Sequence, residues 1–144
     1  GVFEMIMKFC PRCRRLHPVG QKCPNGCDSR KEENKLYDKY FRKNKTFYNS
    51  SHWDKVRKEC MNKFDNICVY TLFKYTKAIP ATQVHHIIEI EEDESQAYEL
   101  SNLIPVSDIA HREIHKRYRD EDIKQVQAEL REYLKLYTTQ FLEG

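Results

Sequence analysis

The chain has 144 residues, a net charge of +3 and charged side chains at 33% of positions, enough for one modest domain or two small ones. Its apolar content of 40% is thin for a self-sufficient core, so a metal staple would help it fold. No stretch approaches the roughly 20 apolar residues of a bilayer span and no signal-like pattern opens the chain, which excludes a membrane helix and points to the cytoplasm. The net charge conceals an asymmetry: residues 1–58 carry fifteen Lys or Arg against six Asp or Glu, and residues 59–144 carry ten against sixteen. A basic front half suits a polyanionic partner, and a solvated Lys-rich helix fits the charge equally well.

Residues 1–7 are set apart from the fold as upstream sequence. Residues 8–30, KFCPRCRRLHPVGQKCPNGCDSR, hold three of the five prolines and read as turns. Cys10 and Cys13 form a C-x2-C pair and Cys23 and Cys27 a C-x3-C pair, with nine residues between the pairs. Two such pairs on turns complete a tetrahedral thiolate shell, so the spacing predicts one structural Zn²⁺ with no position left for water. Two disulfides or free thiols are the other reading, less suited to a chain without a secretion signal.

Residues 31–50 read as a basic linker helix with Leu36, Tyr37, Tyr40 and Phe41 on one side. Ser50 or Ser51 then caps a helix in which Trp53, Val56, Cys60 and Phe64 recur at core spacing. ICVY (67–70) reads as a short strand, TLFKYTKAIPAT as a loop and TQVHHIIEI as the next strand. An acidic loop with one helical turn leads to a second strand, LIPV (103–106). Ser107 or Asp108 caps the helix that carries HREIHKRY, and Asp120 caps a last helix over 119–144. The stripe of Ile123, Val126, Leu130, Leu134, Tyr137 and Phe141 on that helix is suited to packing against the core or a partner chain.

The histidines carry the chemistry. His111 and His115 lie four apart, hence on one helix face. The pattern is not the zinc-protease H-E-x-x-H, because Arg112 follows the first His. His85 and His86 are adjacent on a strand and so point to opposite faces. One can join a metal held by the helix while the other looks elsewhere.

VHHII…YELSNLIPVSDIAHREIH resembles the ββα-metal motif of HNH endonucleases. The agreement runs in step from Tyr98 to His115, and FYNSSHWDKVRKECMNKFDNICVY resembles the helix that precedes this motif in small phage HNH proteins. The resemblance spans residues 8–118 and implies an α+β fold with an HNH nuclease domain over 51–118. Position by position, it implies that His85, His111 and His115 bind one catalytic divalent ion (Mg²⁺, Mn²⁺, Ni²⁺, Co²⁺ or Zn²⁺). It also implies that His86 is the general base and that Asn102 constrains the loop between the strands. DNA is the partner implied, with a phage terminase as a further one through genome-packaging relatives.

Two departures from the family stand out. Many relatives hold a second zinc with C-x2-C pairs where this chain reads Cys68-Val69-Tyr70-Thr71 and Ser107-Asp108-Ile109-Ala110, so none is expected there. Gln83 stands where many relatives have an acidic residue. On the helix of the His pair, Arg112, Lys116 and Arg117 are candidates for phosphate contacts. No base-reading helix is evident, so weak sequence specificity is expected. A non-catalytic zinc-knuckle DNA-binding adaptor is the competing reading, and a sequence-specific homing or restriction enzyme a third.

Overall fold

A computed structural model describes residues 6–10, 14–21 and 27–143, with residues 27–34 described by backbone only. The chain divides into two compact units, residues 1–43 and 44–144.

In the first unit, β1 (Met7–Phe9) and β2 (Leu16–Pro18) pair antiparallel, with Lys8 opposite His17. At the hairpin end Cys10 is buried, and two backbone bonds close the turn behind it: Arg14 N–H to the Cys10 carbonyl (2.8 Å) and Cys10 N–H to the Arg15 carbonyl (3.0 Å). Arg14 takes a left-handed φ of 59° to make this turn. Helix α1 (Cys27–Lys43) starts four residues before the predicted linker helix, inside the stretch read as turns. Cys13 and Cys23 lie outside the described residues, as does the Cys27 side chain, and with them the predicted four-thiolate zinc shell.

The second unit opens with α2 (Lys45–Tyr48) and α3 (Ser51–Lys63). Ser50 caps α3 by accepting from Trp53 N–H, and its hydroxyl donates to the Phe47 carbonyl, which joins the two helices. Trp53, Val56, Cys60 and Phe64 are buried, as their spacing predicts.

Residues 67–70 do not form the predicted strand. Ile67 makes one isolated bridge to Pro80, framed by Cys68 N–H to the Ile79 carbonyl (2.9 Å) and Ala81 N–H to the Asn66 carbonyl (2.7 Å), and no ladder extends from it. Instead α4 (Val69–Tyr75) forms, burying Val69 and Tyr70, and left-handed Thr76 (φ 56°) ends it. The Cys68 thiol, which caps no N–H, lies 3.1 Å from the Thr71 hydroxyl and 3.8 Å from that of Ser107.

Strands β3 (Gln83–His86) and β4 (Leu103–Val106) pair antiparallel, with His85 opposite Ile104 and His86 opposite Leu103. β3 is shorter than TQVHHIIEI suggests: beyond it the Ile88 N–H goes to the Asn102 side chain (2.7 Å) and the chain enters the loop. Helix α5 (Asp108–Asp120) follows β4 directly, capped by Ser107 through Ala110 N–H. It runs through Asp120, so the last helix, α6 (Ile123–Tyr137), is capped by Asp122 instead. Val126, Leu130, Leu134 and Tyr137 of its stripe are buried in the core of this same unit, while Phe141 stays exposed. The stripe is consumed internally, which removes it as a docking face. The unit is a mixed α+β structure in which a two-stranded sheet carries one helix bearing histidines. No described helix is long and apolar enough to cross a membrane.

Candidate metal centre

Alternation along β3 sends His85 toward α5 and His86 toward α2 and α3. On α5, the four-residue spacing puts His111 and His115 one above the other, facing His85. The three rings meet: His85 Nδ1 lies 3.0 Å from His111 Nε2, which lies 3.1 Å from His115 Nε2. Among the described residues these three imidazoles form a metal-capable group, with ligand atoms all within 4.8 Å of one another. His85 and His111 are 1% and 2% exposed and His115 is 7% exposed.

The outward nitrogens explain why the inward ones carry lone pairs. Gln83 donates from Nε2 to Asp108 Oδ1 (2.8 Å), which turns its carbonyl oxygen toward His111 Nδ1 at 2.5 Å. His111 must therefore carry its proton on Nδ1, leaving Nε2 bare. The Tyr118 hydroxyl donates to the Ile87 carbonyl (2.6 Å), so its oxygen accepts from His85 Nε2 (3.0 Å) and His85 Nδ1 is bare. His115 Nδ1 faces Glu89 Oε1 at 3.5 Å. Burial holds all three imidazoles uncharged: it is the main cause that lowers the pKa of each, His115 to about 4. Three neutral imidazoles that converge, with His85 and His111 anchored from behind by hydrogen bonds, are the donor set that a divalent transition metal requires. Gln83 thus serves as the acceptor behind His111.

His86 sits outside this group. Its Nε2 donates to the Ala97 carbonyl (3.0 Å), and its ring stacks on Trp53 with centroids 4.8 Å apart, beside Phe47. Among the described residues, His86 Nδ1 is the buried side-chain atom with no hydrogen-bond partner. Burial lowers its pKa to about 4, so the ring is neutral at pH 7 with a bare Nδ1.

Asn102, buried just before β4, ties the loop between the strands. Its Oδ1 accepts from Ile88 N–H, and its Nδ2 donates to the carbonyls of Ile88 (3.0 Å) and Gln96 (3.2 Å). Gln96 precedes Ala97, whose carbonyl holds His86.

The three basic residues of α5 separate. Arg112 and Lys116 are exposed, with Arg112 3.2 Å from Asp108. Arg117 faces away from the ligand side, where its guanidinium binds Glu129 and Glu121 and contacts the Tyr70 hydroxyl (3.2 Å). That hydroxyl donates to Glu113, which also accepts from Tyr75 (2.7 Å). The side chain of Arg117 is 14% exposed and its charge is satisfied within the protein, so the phosphate contact read from the sequence does not fit its position.

Sequence reasoning passed over Tyr118 and Glu89. Tyr118 had a signal, one helical turn beyond His115 on the same face. Glu89 had none, because its acidic surroundings read as solvent-facing.

Fold and site together define an α+β protein with a buried centre of three imidazoles able to hold a metal ion. No protein-family profile and no curated protein matches the chain. Among solved structures, it is similar to the crystal structure of the HNH endonuclease of the deep-sea thermophilic bacteriophage GVE2 with manganese ion. That match has 28% identity over 60% of this chain and 96% of the other, with a TM-score of 0.49.

Proposed function

We propose that the protein is a metal-dependent DNA endonuclease of the HNH class that hydrolyses phosphodiester bonds. The observation that carries this reading is the division of labour between neighbours. His85 joins His111 and His115 in a converging donor set, and His86 keeps a bare, unpartnered nitrogen held in place by Ala97. A purely structural ion has no use for the second arrangement, whereas hydrolysis needs a positioned base beside a metal.

In this reading His85, His111 and His115 hold the ion. When bound, it polarises a phosphate oxygen and stabilises the charge that develops on the leaving oxygen. His86 Nδ1 takes the proton of the attacking water, while the Ala97 carbonyl fixes the tautomer. Asn102 positions the base through the loop it ties. Arg112 and Lys116, exposed on the helix of the ligands, contact the phosphate backbone. Three imidazoles suit Zn²⁺, Ni²⁺, Co²⁺ or Mn²⁺, with Mg²⁺ also accepted.

The finer parts of the proposal rest on the sequence resemblance. Cys10, Cys13, Cys23 and Cys27 hold a structural zinc in a knuckle over residues 8–30, followed by a linker helix and the nuclease domain. The protein is phage-encoded, cuts with little sequence preference, and acts in the host cytoplasm beside a terminase during genome packaging. The test is conversion of supercoiled plasmid to nicked or linear product with added Mn²⁺, Ni²⁺ or Mg²⁺. Absence of metal-dependent cleavage by the wild-type protein would overturn the enzyme reading and favour the zinc-knuckle adaptor. Discrete fragments from a long natural DNA would instead mark a sequence-specific enzyme.

A further inference from the structure

Of the outer partners of the three imidazoles, Tyr118 and Gln83 are neutral and Glu89 is a carboxylic acid. Glu89 belongs to the run EIEEDES, which composition alone assigns to solvent. Its side chain is only 23% exposed and its Oε1 lies 3.5 Å from His115 Nδ1. The backbone explains this placement. Ile88 is tied on both its N–H and its carbonyl by Asn102, and Ile90 on the other side is buried. The Glu89 carbonyl accepts from Glu92 N–H (2.9 Å) and Asp93 N–H (3.1 Å), a tight turn that fixes the residue's direction. Glu89 is therefore delivered to the metal centre by the same asparagine that holds the loop behind His86.

We infer that Glu89 is a positioning residue for the metal centre, accepting the His115 Nδ1 proton so that the Nε2 lone pair points inward. The role follows from the chemistry of the pair. An imidazole offers a metal one nitrogen only when the other carries the proton, and an acceptor behind the ring selects that tautomer. A carboxylate does this better than an amide, because its charge raises the basicity of the inward nitrogen and offsets part of the charge of a divalent ion. Glu89 is thus the acidic member of an outer set in which Gln83 is an amide.

The inference rests on the metal-centre reading above, and its test needs no cleavage assay. Affinity for Mn²⁺ and Zn²⁺ is measured by calorimetric titration of the full chain as wild type, Glu89→Ala and Glu89→Gln. The His115 tautomer is read in the metal-free proteins from long-range ¹H–¹⁵N spectra. Glu89→Ala should weaken metal binding roughly 10- to 100-fold and shift His115 from a single tautomer to a mixture. Glu89→Gln, which keeps an acceptor without the charge, should retain the tautomer and recover part of the affinity. Unchanged affinity and an unchanged His115 spectrum in a folded Glu89→Ala protein would overturn the assignment. A protein that loses affinity on Glu89→Ala yet cuts no DNA as wild type would support the role of Glu89 and overturn the nuclease reading instead.

Discussion

Asn102 and Ile88 exchange a pair of hydrogen bonds, side-chain amide against backbone peptide, with Ile88 N–H donating at 2.7 Å and the Ile88 carbonyl accepting at 3.0 Å. The arrangement mimics one rung of a β-ladder with a side chain, two residues beyond His86, where β3 ends.

Replacing Asn102 with Ala leaves the peptide groups of Ile88 and Gln96 without these partners in a part-buried setting. The expected loss of stability is about 1–3 kcal/mol. Cleavage should fall further than stability accounts for, since the loop that aims Ala97 at His86 loosens. Urea titration together with plasmid nicking measures the two effects on the same preparation.

His86→Ala should reduce cleavage by about 10²- to 10⁴-fold with metal affinity unchanged, because Nδ1 takes no part in the ligand set. His115→Ala should lose both. Parallel metal titration and nicking assays separate the two outcomes. Full activity of the His86 variant would rule out that residue as the base.

Tyr118→Phe keeps the ring in the core and removes the hydroxyl that links His85 Nε2 to the Ile87 carbonyl. His85 is then free to carry its proton on either nitrogen, and metal affinity should drop about tenfold. Thermal denaturation with and without Mn²⁺ reads the effect as a smaller metal-induced rise in Tm.

Much of this site could be read from the chain, and the reasons differ by residue. The four-residue spacing of His111 and His115 and the alternation of His85 and His86 are local facts, fixed by backbone geometry wherever the helix and strand form. LIPV and the helix cap at Ser107 were legible for the same reason. Gln83, Tyr118 and Glu89 act across elements 28, 33 and 26 positions apart from the rings they hold, and no local periodicity encodes such pairings. Residues 67–70 misled because a short apolar run suits a buried helix start as well as a strand.

The pair Arg117–Glu129 predicts a pH dependence. Arg117 lowers the Glu129 pKa below the ordinary 4.5, chiefly by a direct hydrogen bond. A depressed carboxylate contributes stability above its unfolded value, and that contribution is lost as pH falls through the folded value. Glu129→Gln should therefore lose stability at pH 7 and lose less at pH 3, as protonation removes the contribution from wild type. Denaturant midpoints at the two pH values test this.

If the proposed zinc knuckle is present, protein purified without added metal should retain about one tightly held zinc per chain, measured by atomic emission. Cys27→Ser should release it while leaving Mn²⁺ binding at the histidines intact.

The ion-pair cluster around Arg117 has a consequence for the opposite side of α5. A helix places successive side chains roughly 100° apart, with tips roughly 5–6 Å from its axis. A rotation of roughly 20° would sweep an imidazole tip through about 2 Å, comparable to a whole metal–nitrogen bond of roughly 2.0–2.1 Å. Tyr70 and Tyr75 grip Glu113, and Glu121 and Glu129 grip Arg117, all on the flank facing away from the ligands. These contacts set the azimuth of the helix as a keyway sets a shaft. Substitutions there should detune the metal centre without touching any residue that binds it.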